Sequence, residues 1–179
     1  TEPGVCYRLW DEAQTVSLAA SEAPEILEAD LSGLALDLAA WGTADPGQLK
    51  FLDLPPAAAW SEATQLLKAL HALDDIGHLT DQGKALARLP LQPRLAHMLD
   101  RAASRGEGLT AAMIAALLSE PGLGGPDPDL RVRLRRLRED KSPRARVSRL
   151  LAERWHKLAG GSDKTIEPED AGVLLANAY

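Results

Sequence analysis

Apolar side chains recur every three or four residues along most of this sequence, the spacing that gathers them on one face of an α-helix. Leu27, Leu31, Leu34 and Leu38 are an example, and Gly42 is placed to end the helix that they predict. Prolines stand where several other helices are expected to begin. The pattern predicts helices over 25–41, 55–73, 80–90, 93–105, 110–118, 130–137, 142–158 and 167–178.

Two short segments depart from this helical spacing. In residues 4–10, Val5, Tyr7 and Leu9 alternate with other residues, which predicts a strand, and no other segment offers an obvious strand to pair with it. We therefore expect its sheet to lie in a part of the protein outside this chain. Residues 73–80 place short apolar pieces around a turn-prone centre and predict a small hairpin. Helices followed by such a hairpin indicate a winged-helix domain.

Two details of the helices follow from the residues at their starts and along their faces. Thr80 and Thr110 are placed to cap the helices that follow them, because a hydroxyl oxygen can accept a hydrogen bond from a free backbone N–H in the first turn. In the helix over 142–158, five apolar side chains are expected to point into the core: Val147, Leu150, Leu151, Trp155 and Leu158.

The composition supports a mainly helical protein. The chain has 179 residues, with 32 Leu and 30 Ala against 5 Val and 4 Ile, so residues that favour helices far outnumber those that favour strands. An all-β fold and a large parallel sheet are excluded. The single cysteine, Cys6, allows no disulfide within the chain and no cysteine-based zinc site, which fits a reducing compartment, and we expect a cytoplasmic location.

Charge is distributed unevenly along the chain. The formal net charge is −6, yet residues 131–157 carry 11 basic and 3 acidic side chains. A stripe of arginines is what recognition of a phosphate backbone requires, although it is equally typical of a solvated helix face that pairs with the acidic first half of the chain. Charge alone leaves both interpretations open. The candidate nucleic-acid-binding residues, on two successive helices, are Arg131, Arg135, Arg138, Arg144, Arg146 and Arg149.

The sequence offers no catalytic or metal-binding constellation. The segment Gly77 to Lys84 is the nearest approach to a phosphate-binding loop, but five residues separate its glycines and Ala85 lacks the hydroxyl that would hold Mg²⁺. The four histidines have no metal-ligand spacing and are expected at the surface or at its boundary. We therefore expect no catalytic residue, cofactor site or metal site in this chain.

The order of motifs resembles the region that follows the last helicase motif of DEAH-box RNA helicases. The resemblance begins with PGVCYRLW at 3–10 and PEIL at 24–27, and continues through FLD at 51–53. Its most specific parts are LTDQGKALARLP at 79–90 and the PRLAHML that starts at Pro93, which are most similar to the bacterial HrpB type. It covers about residues 1–120 well, whereas the arginine-rich block matches only in general character.

The resemblance implies a domain order as well as a fold. Residues 1–12 would be the terminal strand of a RecA-like motor domain, 13–90 a winged-helix domain and 91–179 a helicase-associated helical bundle, or ratchet domain. In that family both accessory domains pack against two motor domains and enclose single-stranded nucleic acid. The motor domains, with their ATP and Mg²⁺, would lie outside this chain, which implies a fragment that does not itself hydrolyse ATP.

Our primary interpretation is a non-catalytic accessory module that lines the channel for single-stranded RNA and docks on the motor domains of the same polypeptide, with no membrane partner. The negative charge of the winged-helix region disfavours a recognition helix that reads duplex DNA, because residues 1–90 carry 14 acidic and 5 basic side chains. The alternative is a protein-interaction or scaffold module that makes no direct contact with nucleic acid.

Overall fold

The computed structural model describes residues 3–18 and 23–179, and regular structure in these ranges is helical. The prediction of a mainly α protein is confirmed. Short 3₁₀ turns lie at Glu25–Leu27, Pro46–Gln48 and Pro168–Asp170. The α-helices are α1 (Glu12–Ser17), α2 (Ser32–Trp41), α3 (Ala57–Ala69), α4 (Asp81–Ala87), α5 (Pro93–Ala103), α6 (Gly108–Ser119), α7 (Leu130–Glu139), α8 (Pro143–Leu158) and α9 (Ala171–Leu175).

Several helix ends follow directly from the residues found there. The Thr80 hydroxyl accepts a hydrogen bond of 2.9 Å from the Gly83 N–H and so caps α4, as its position predicted. Gly42 ends α2 in the left-handed conformation, with φ of 102°, which an L side chain rarely adopts.

Two predicted helices are shorter than their apolar patterns suggested. The helix expected over 25–41 is divided, because the Asp30 carboxylate accepts a hydrogen bond of 2.8 Å from the Ser32 N–H and α2 starts only there. The helix expected over 167–178 is reduced to a 3₁₀ turn and the five residues of α9. At α2 a local hydrogen bond sets a boundary that cannot be predicted from the spacing of apolar residues.

The prediction that Thr110 caps a helix is wrong. Helix α6 begins at Gly108, and Thr110 lies inside it, 2% exposed. Its hydroxyl oxygen accepts a hydrogen bond of 2.9 Å from the Glu167 N–H, so it ties the C-terminal segment to α6. The role of first-turn acceptor falls instead to Asp163, whose carboxylate accepts a hydrogen bond of 2.9 Å from the Leu109 N–H.

One continuous apolar core runs from Leu31 to Ala178. At its centre is α6, in which every residue from Gly108 to Leu117 is buried, and α5, α7, α8 and α9 pack around it. Helices α2, α3 and α4 extend the core on the side of the predicted winged helix, and α5 contacts both groups. The core therefore crosses residue 90, where the sequence places a domain boundary, and the division into 13–90 and 91–179 stays a prediction.

Helix α8 turns a different face to the core from the one its large apolar residues predicted. Trp155 is buried, but Val147, Leu150, Leu151 and Leu158 are 65%, 64%, 41% and 50% exposed. Small side chains let α8 approach α6 closely, which leaves the longer aliphatic side chains on the outer face. The buried face consists of Ala145, Ser148, Ala152, Trp155 and His156.

The predicted hairpin is present in a minimal form. Leu73 and Leu79 make a single antiparallel bridge, and the Asp74 N–H donates a hydrogen bond of 2.9 Å to the His78 carbonyl. The Asp74 carboxylate accepts hydrogen bonds from the N–H groups of Ile76 and His78, at 3.0 and 2.7 Å, and so shapes the turn.

The strand predicted over 4–10 is not formed, and residues 3–9 have no regular structure. Val5, Tyr7 and Leu9 are 80%, 82% and 93% exposed, and they pair with no strand in the described part of the chain. The physical reason is that strand geometry is held by hydrogen bonds to a neighbouring strand.

Among the glycines of the winged-helix region, Gly83 should be the one whose replacement lowers stability most. A Cβ there would lie 2.2 Å from the Ala72 carbonyl oxygen, where α4 approaches the hairpin. We expect Gly83→Ala to lower the free energy of unfolding by about 2 kcal/mol, since overpacking outweighs the better helix propensity of alanine. Gly33→Ala in α2 is the matched control: no atom lies within 4 Å of its Cβ, and stability should rise by about 0.5–1 kcal/mol. Urea unfolding measures both, and equal effects would contradict this packing.

Removal of residues 1–11 should leave the fold intact. The described residues before Glu12 bury no apolar side chain, and α1 itself has no buried residue. We expect the free energy of unfolding to change by less than about 0.5 kcal/mol, the usual range for surface changes. Thermal unfolding of the full and shortened chains makes the comparison. A markedly lower Tm for the shortened chain would show that this segment is part of the folded core.

Candidate nucleic-acid interface

The arginine-rich block folds into α7, α8 and the short connection between them. Leu134 and Leu137 of α7 are 2% and 1% exposed, which fixes this face of the helix against the core. The Asp129 carboxylate accepts a hydrogen bond of 2.9 Å from the Arg131 N–H and caps α7. The basic side chains of both helices therefore lie on or near the surface, where their partners can be compared one by one.

Arg131 and Arg135 form ion pairs with the C-terminal segment. Arg131 lies 2.8 Å from Asp129 and 3.5 Å from Glu169, and Arg135 pairs with the other oxygen of Glu169. The hydrogen bond from the Arg131 guanidinium lowers the pKa of the Asp129 carboxyl to about 2. These two arginines thus hold α7 to the 3₁₀ turn at Pro168–Asp170.

Arg144 binds the end of α6. Its Nε lies 2.5 Å from a Glu120 carboxylate oxygen, and its Nη2 donates to the Pro121 carbonyl at 2.6 Å. The Ser148 hydroxyl donates to the other oxygen of Glu120 at 2.6 Å. That hydroxyl and then Arg144 lower the pKa of the Glu120 carboxyl, so the cluster keeps this carboxylate charged.

Arg149 satisfies the C-terminal end of α7. Its Nη1 donates hydrogen bonds to the Leu137 carbonyl and, at 2.7 Å, to the Asp140 carbonyl. Helix ends leave such carbonyls without partners, and a cation is favourable there because the helix dipole is negative at this end. Arg149 therefore joins α8 to the connection that precedes it.

Arg133 is a structural arginine that was not among the candidate site residues. Its guanidinium donates to the Leu117 carbonyl at 2.8 Å and to the Leu123 carbonyl at 2.9 Å, which pins the glycine-rich loop after α6 against α7. Its side chain is half-buried. No signal in the sequence separates it from its neighbours, because its partners are backbone carbonyls that only the fold brings near.

Arg138 and Arg146 differ from the other four candidates. Both are exposed, and neither has an ion pair or side-chain hydrogen bond to another described residue. Arg138 lies in the last turn of α7 and Arg146 in the first turn of α8, with exposed Lys141 between them in the chain. These three cations, which we call the α7–α8 turn cluster, are available to an anionic ligand without the loss of an internal contact.

The sequence contained a partial signal for this difference. Neither Arg138 nor Arg146 has an acidic residue three or four positions away along its helix, the spacing at which helical side chains pair. Lys141, which sequence reasoning missed, belongs to the same short region. The pairing of Arg131 and Arg135, by contrast, depends on Glu169, which is distant in the sequence.

The histidines are more buried than their spacing suggested. His97 and His156 are 8% and 5% exposed, which corrects the expectation that each lies at the surface or its boundary. Burial lowers the pKa of the His97 imidazole. His156 Nε2 lies 3.0 Å from the Asp163 carbonyl oxygen. Within residues 3–18 and 23–179, no group of three or more His, Cys, Asp or Glu side chains is arranged to hold a metal ion.

Comparison with known proteins first identifies the winged-helix region. Residues 63–91, from α3 through the hairpin and α4, match the family model described as "Helicase associated domain (HA2), winged-helix". The chain is 39% identical, over 178 residues and 99% of its length, to the ATP-dependent RNA helicase HrpB of Escherichia coli strain K12. Residues 63–91 thus match the HA2 winged-helix model, and nearly the whole chain is similar to a segment of HrpB. The resemblance stated from the sequence motifs is confirmed.

Solved structures support the same assignment at the level of the fold. A crystal structure of the E. coli DEAH/RHA helicase HrpB matches 94% of the chain, with a TM-score of 0.78 and 36% identity. A crystal structure described as E. coli DExH-box NTPase HrpB gives a TM-score of 0.72 and 34% identity over the same share. The helical bundle is thus shared with HrpB along with the winged helix.

A eukaryotic protein also belongs among the relatives. The pre-mRNA-splicing factor ATP-dependent RNA helicase prp22 of Schizosaccharomyces pombe is 40% identical over 124 residues, or 69% of the chain. The chain spans about a fifth of HrpB and 11% of prp22. No helix in the described ranges is long and apolar enough to cross a membrane.

Arg133, which donates to backbone carbonyls, and Arg138, which has no side-chain partner among the described residues, should contribute differently to stability. We expect Arg133→Met to lower the free energy of unfolding by about 1.5–3 kcal/mol, because it removes charged donors from two carbonyls. Arg138→Met is the matched control in the same helix and should change stability by less than about 0.5 kcal/mol. Urea unfolding measures both variants. An unchanged midpoint for Arg133→Met would contradict the structural role of this guanidinium.

Proposed function

We propose that the chain is a non-catalytic accessory module of an ATP-dependent DEAH-box RNA helicase. In this proposal it lines the channel for single-stranded RNA and docks on the motor domains of the same polypeptide. HrpB and prp22, both named ATP-dependent RNA helicases, support the assignment to this class of protein. The α7–α8 turn cluster is the observation on which the proposed contact with RNA depends.

The proposed RNA contact follows from the charge balance of the block. A cation that already pairs with a carboxylate gains little from a phosphate, because it must first lose that pair. Arg131 and Arg135 share Glu169, and Arg144 is bound to Glu120. Arg138, Lys141 and Arg146 carry no such pair among the described residues. We therefore assign backbone contact to these three and an internal structural role to the other candidates, including Arg149.

Contact with phosphates predicts weak binding that is indifferent to base sequence, since the phosphates carry no base information. The acidic winged helix opposes a second contact on that side of the module. In the proposal, the opposite wall of the channel comes from the motor domains, which would also supply the ATP and Mg²⁺ sites. This chain would itself hold no cofactor, and its Gly77–Lys84 segment serves as hairpin turn and helix start.

The alternative, a protein-interaction module without RNA contact, is favoured by a different observation. The outer face of α8 exposes four large aliphatic side chains, an arrangement that suits a protein partner better than a phosphate backbone. The two functions use different surfaces and can therefore be tested separately.

Salt dependence should reveal the RNA contact. For a single strand, the plot of the logarithm of the binding constant against the logarithm of the salt concentration has a slope of about −0.7 for each phosphate neutralised. Three cations therefore predict a slope of about −2. We expect the double variant Arg138→Gln with Arg146→Gln to flatten this slope by about 1.4. Fluorescence anisotropy with a labelled single-stranded oligouridine at several salt concentrations makes the measurement.

Arg131→Gln with Arg135→Gln is the matched control, since it removes the same charge from the same helical region. Its slope should stay close to that of the unchanged chain, because these arginines are paired with Glu169. Circular dichroism checks that both variants keep their helices. Equal flattening in the two variants would attribute binding to net charge, and no flattening in either would favour the alternative function.

A further inference from the structure

The outer face of α8 carries an apolar strip that nothing in the described part of the chain covers. Val147, Leu150, Leu151 and Leu158 lie at positions that share one side of the helix, and each is at least 41% exposed. From Val147 to Leu158 the strip extends for about 16 Å, or three helical turns. Large aliphatic side chains grouped in this way on a soluble surface mark an interaction site.

A groove of about 870 Å³ lies directly beside this strip. Leu151 belongs to both, so the strip and the groove form one continuous surface. The opposite wall of the groove comes from α2 and from the connection between α4 and α5. Its apolar lining includes Leu36, Leu89, Leu91, Leu95, Leu118 and Trp155. An elongated apolar surface of this kind, built between helices, accommodates the apolar face of another helix.

The charges around the strip indicate the character of its occupant. Arg154 lies within the strip, and Arg146 and Lys157 lie along one edge of it, all three exposed. Exposed Arg88 stands across the groove. Glu153 on α8, Asp37 on α2 and Glu120 at the end of α6 are the nearby acidic side chains. Glu120 is already paired with Arg144, so the rim keeps an excess of positive charge. A partner with acidic side chains beside its apolar face would complement this rim.

We propose that the strip and groove bind an acidic amphipathic helix of a partner protein. Such a helix would place its apolar residues at i, i+3, i+4 and i+7 over Val147, Leu150 and Leu151 and into the groove. Its carboxylates would lie near Arg146, Arg154 and Lys157. RNA fits this surface poorly, because bases are held by exposed aromatic rings and the strip presents aliphatic side chains instead.

A synthetic peptide can test this proposal with the full 179-residue chain. The probe is a fluorescein-labelled peptide of about 18 residues, with leucines along one face and glutamates along the other, long enough to span the strip. We expect saturable binding by fluorescence anisotropy. A second peptide with lysine in place of each glutamate should bind at least tenfold more weakly, as should a scrambled peptide with the composition of the first.

Two variants of the chain locate the binding surface. Val147→Ser with Leu150→Ser should weaken binding of the acidic peptide at least tenfold. Leu52→Ser with Val173→Ser removes two aliphatic side chains elsewhere that are at least as exposed and should leave binding unchanged. All four positions are exposed, so both variants are expected to stay folded, which circular dichroism checks.

The outcomes separate this proposal from the proposed contact with RNA. Equal binding of the acidic and basic peptides, or no loss in the Val147/Leu150 variant, would overturn the proposal. So would loss of oligouridine binding in that variant with peptide binding intact, since the strip would then be an RNA surface. Arg146 belongs to both proposed surfaces, but the two experiments use different probes and substitute different residues, so failure of the salt test on Arg138 and Arg146 leaves the peptide result with the Val147/Leu150 variant untouched.

Discussion

The burial of α6 is the constraint on which the rest of the structure depends. A helix buried from Gly108 to Leu117 needs cover on every side, and α5, α7, α8 and α9 supply it. Burial also isolates the N–H groups of its first turn from water, where each must find an acceptor. Asp163 provides one from a loop more than fifty residues later in the chain, so the position of the C-terminal segment is set by the start of α6.

The arginine-rich block stabilises this arrangement of helices through contacts within the chain. Guanidinium groups fasten the loop after α6, the end of α7 and the 3₁₀ turn before α9, each through carbonyls or carboxylates that the helices bring near. A guanidinium with five donors suits this task better than an ammonium group does. The sequence predicts a uniform basic stripe. In the fold, several of its arginines bind other segments of the chain, and a small cluster stays exposed.

Much of the fold was predictable because its signals are local. The cap at Thr80, the end at Gly42, the hairpin at 73–80 and most helices follow from residues within one or two turns of the feature itself. The predictions that failed concern features that depend on contacts between residues far apart in the sequence. The inward face of α8 is set by the small residues that fit against α6, and the roles of Thr110 and Arg131 depend on Glu167 and Glu169. The lack of an ion-pair partner at Arg138 and Arg146 was partly predictable, because neither has an acidic residue three or four positions away along its helix.

The contact of His156 with the start of α6 has a consequence for sequence variation. A Cβ at position 161 would lie 2.0 Å from the imidazole, and one at position 108 would lie 2.7 Å from it. The ring therefore occupies the space that a side chain at either position would need. A Cβ at 108 would also lie 2.9 Å from the Ala103 Cα, so alanine there stays obstructed whatever residue stands at 156. Substitutions at 156 and 161 are not independent: a smaller residue in place of His156 would admit alanine at 161, whereas alanine alone would displace the ring. Among homologues, these two positions should vary together.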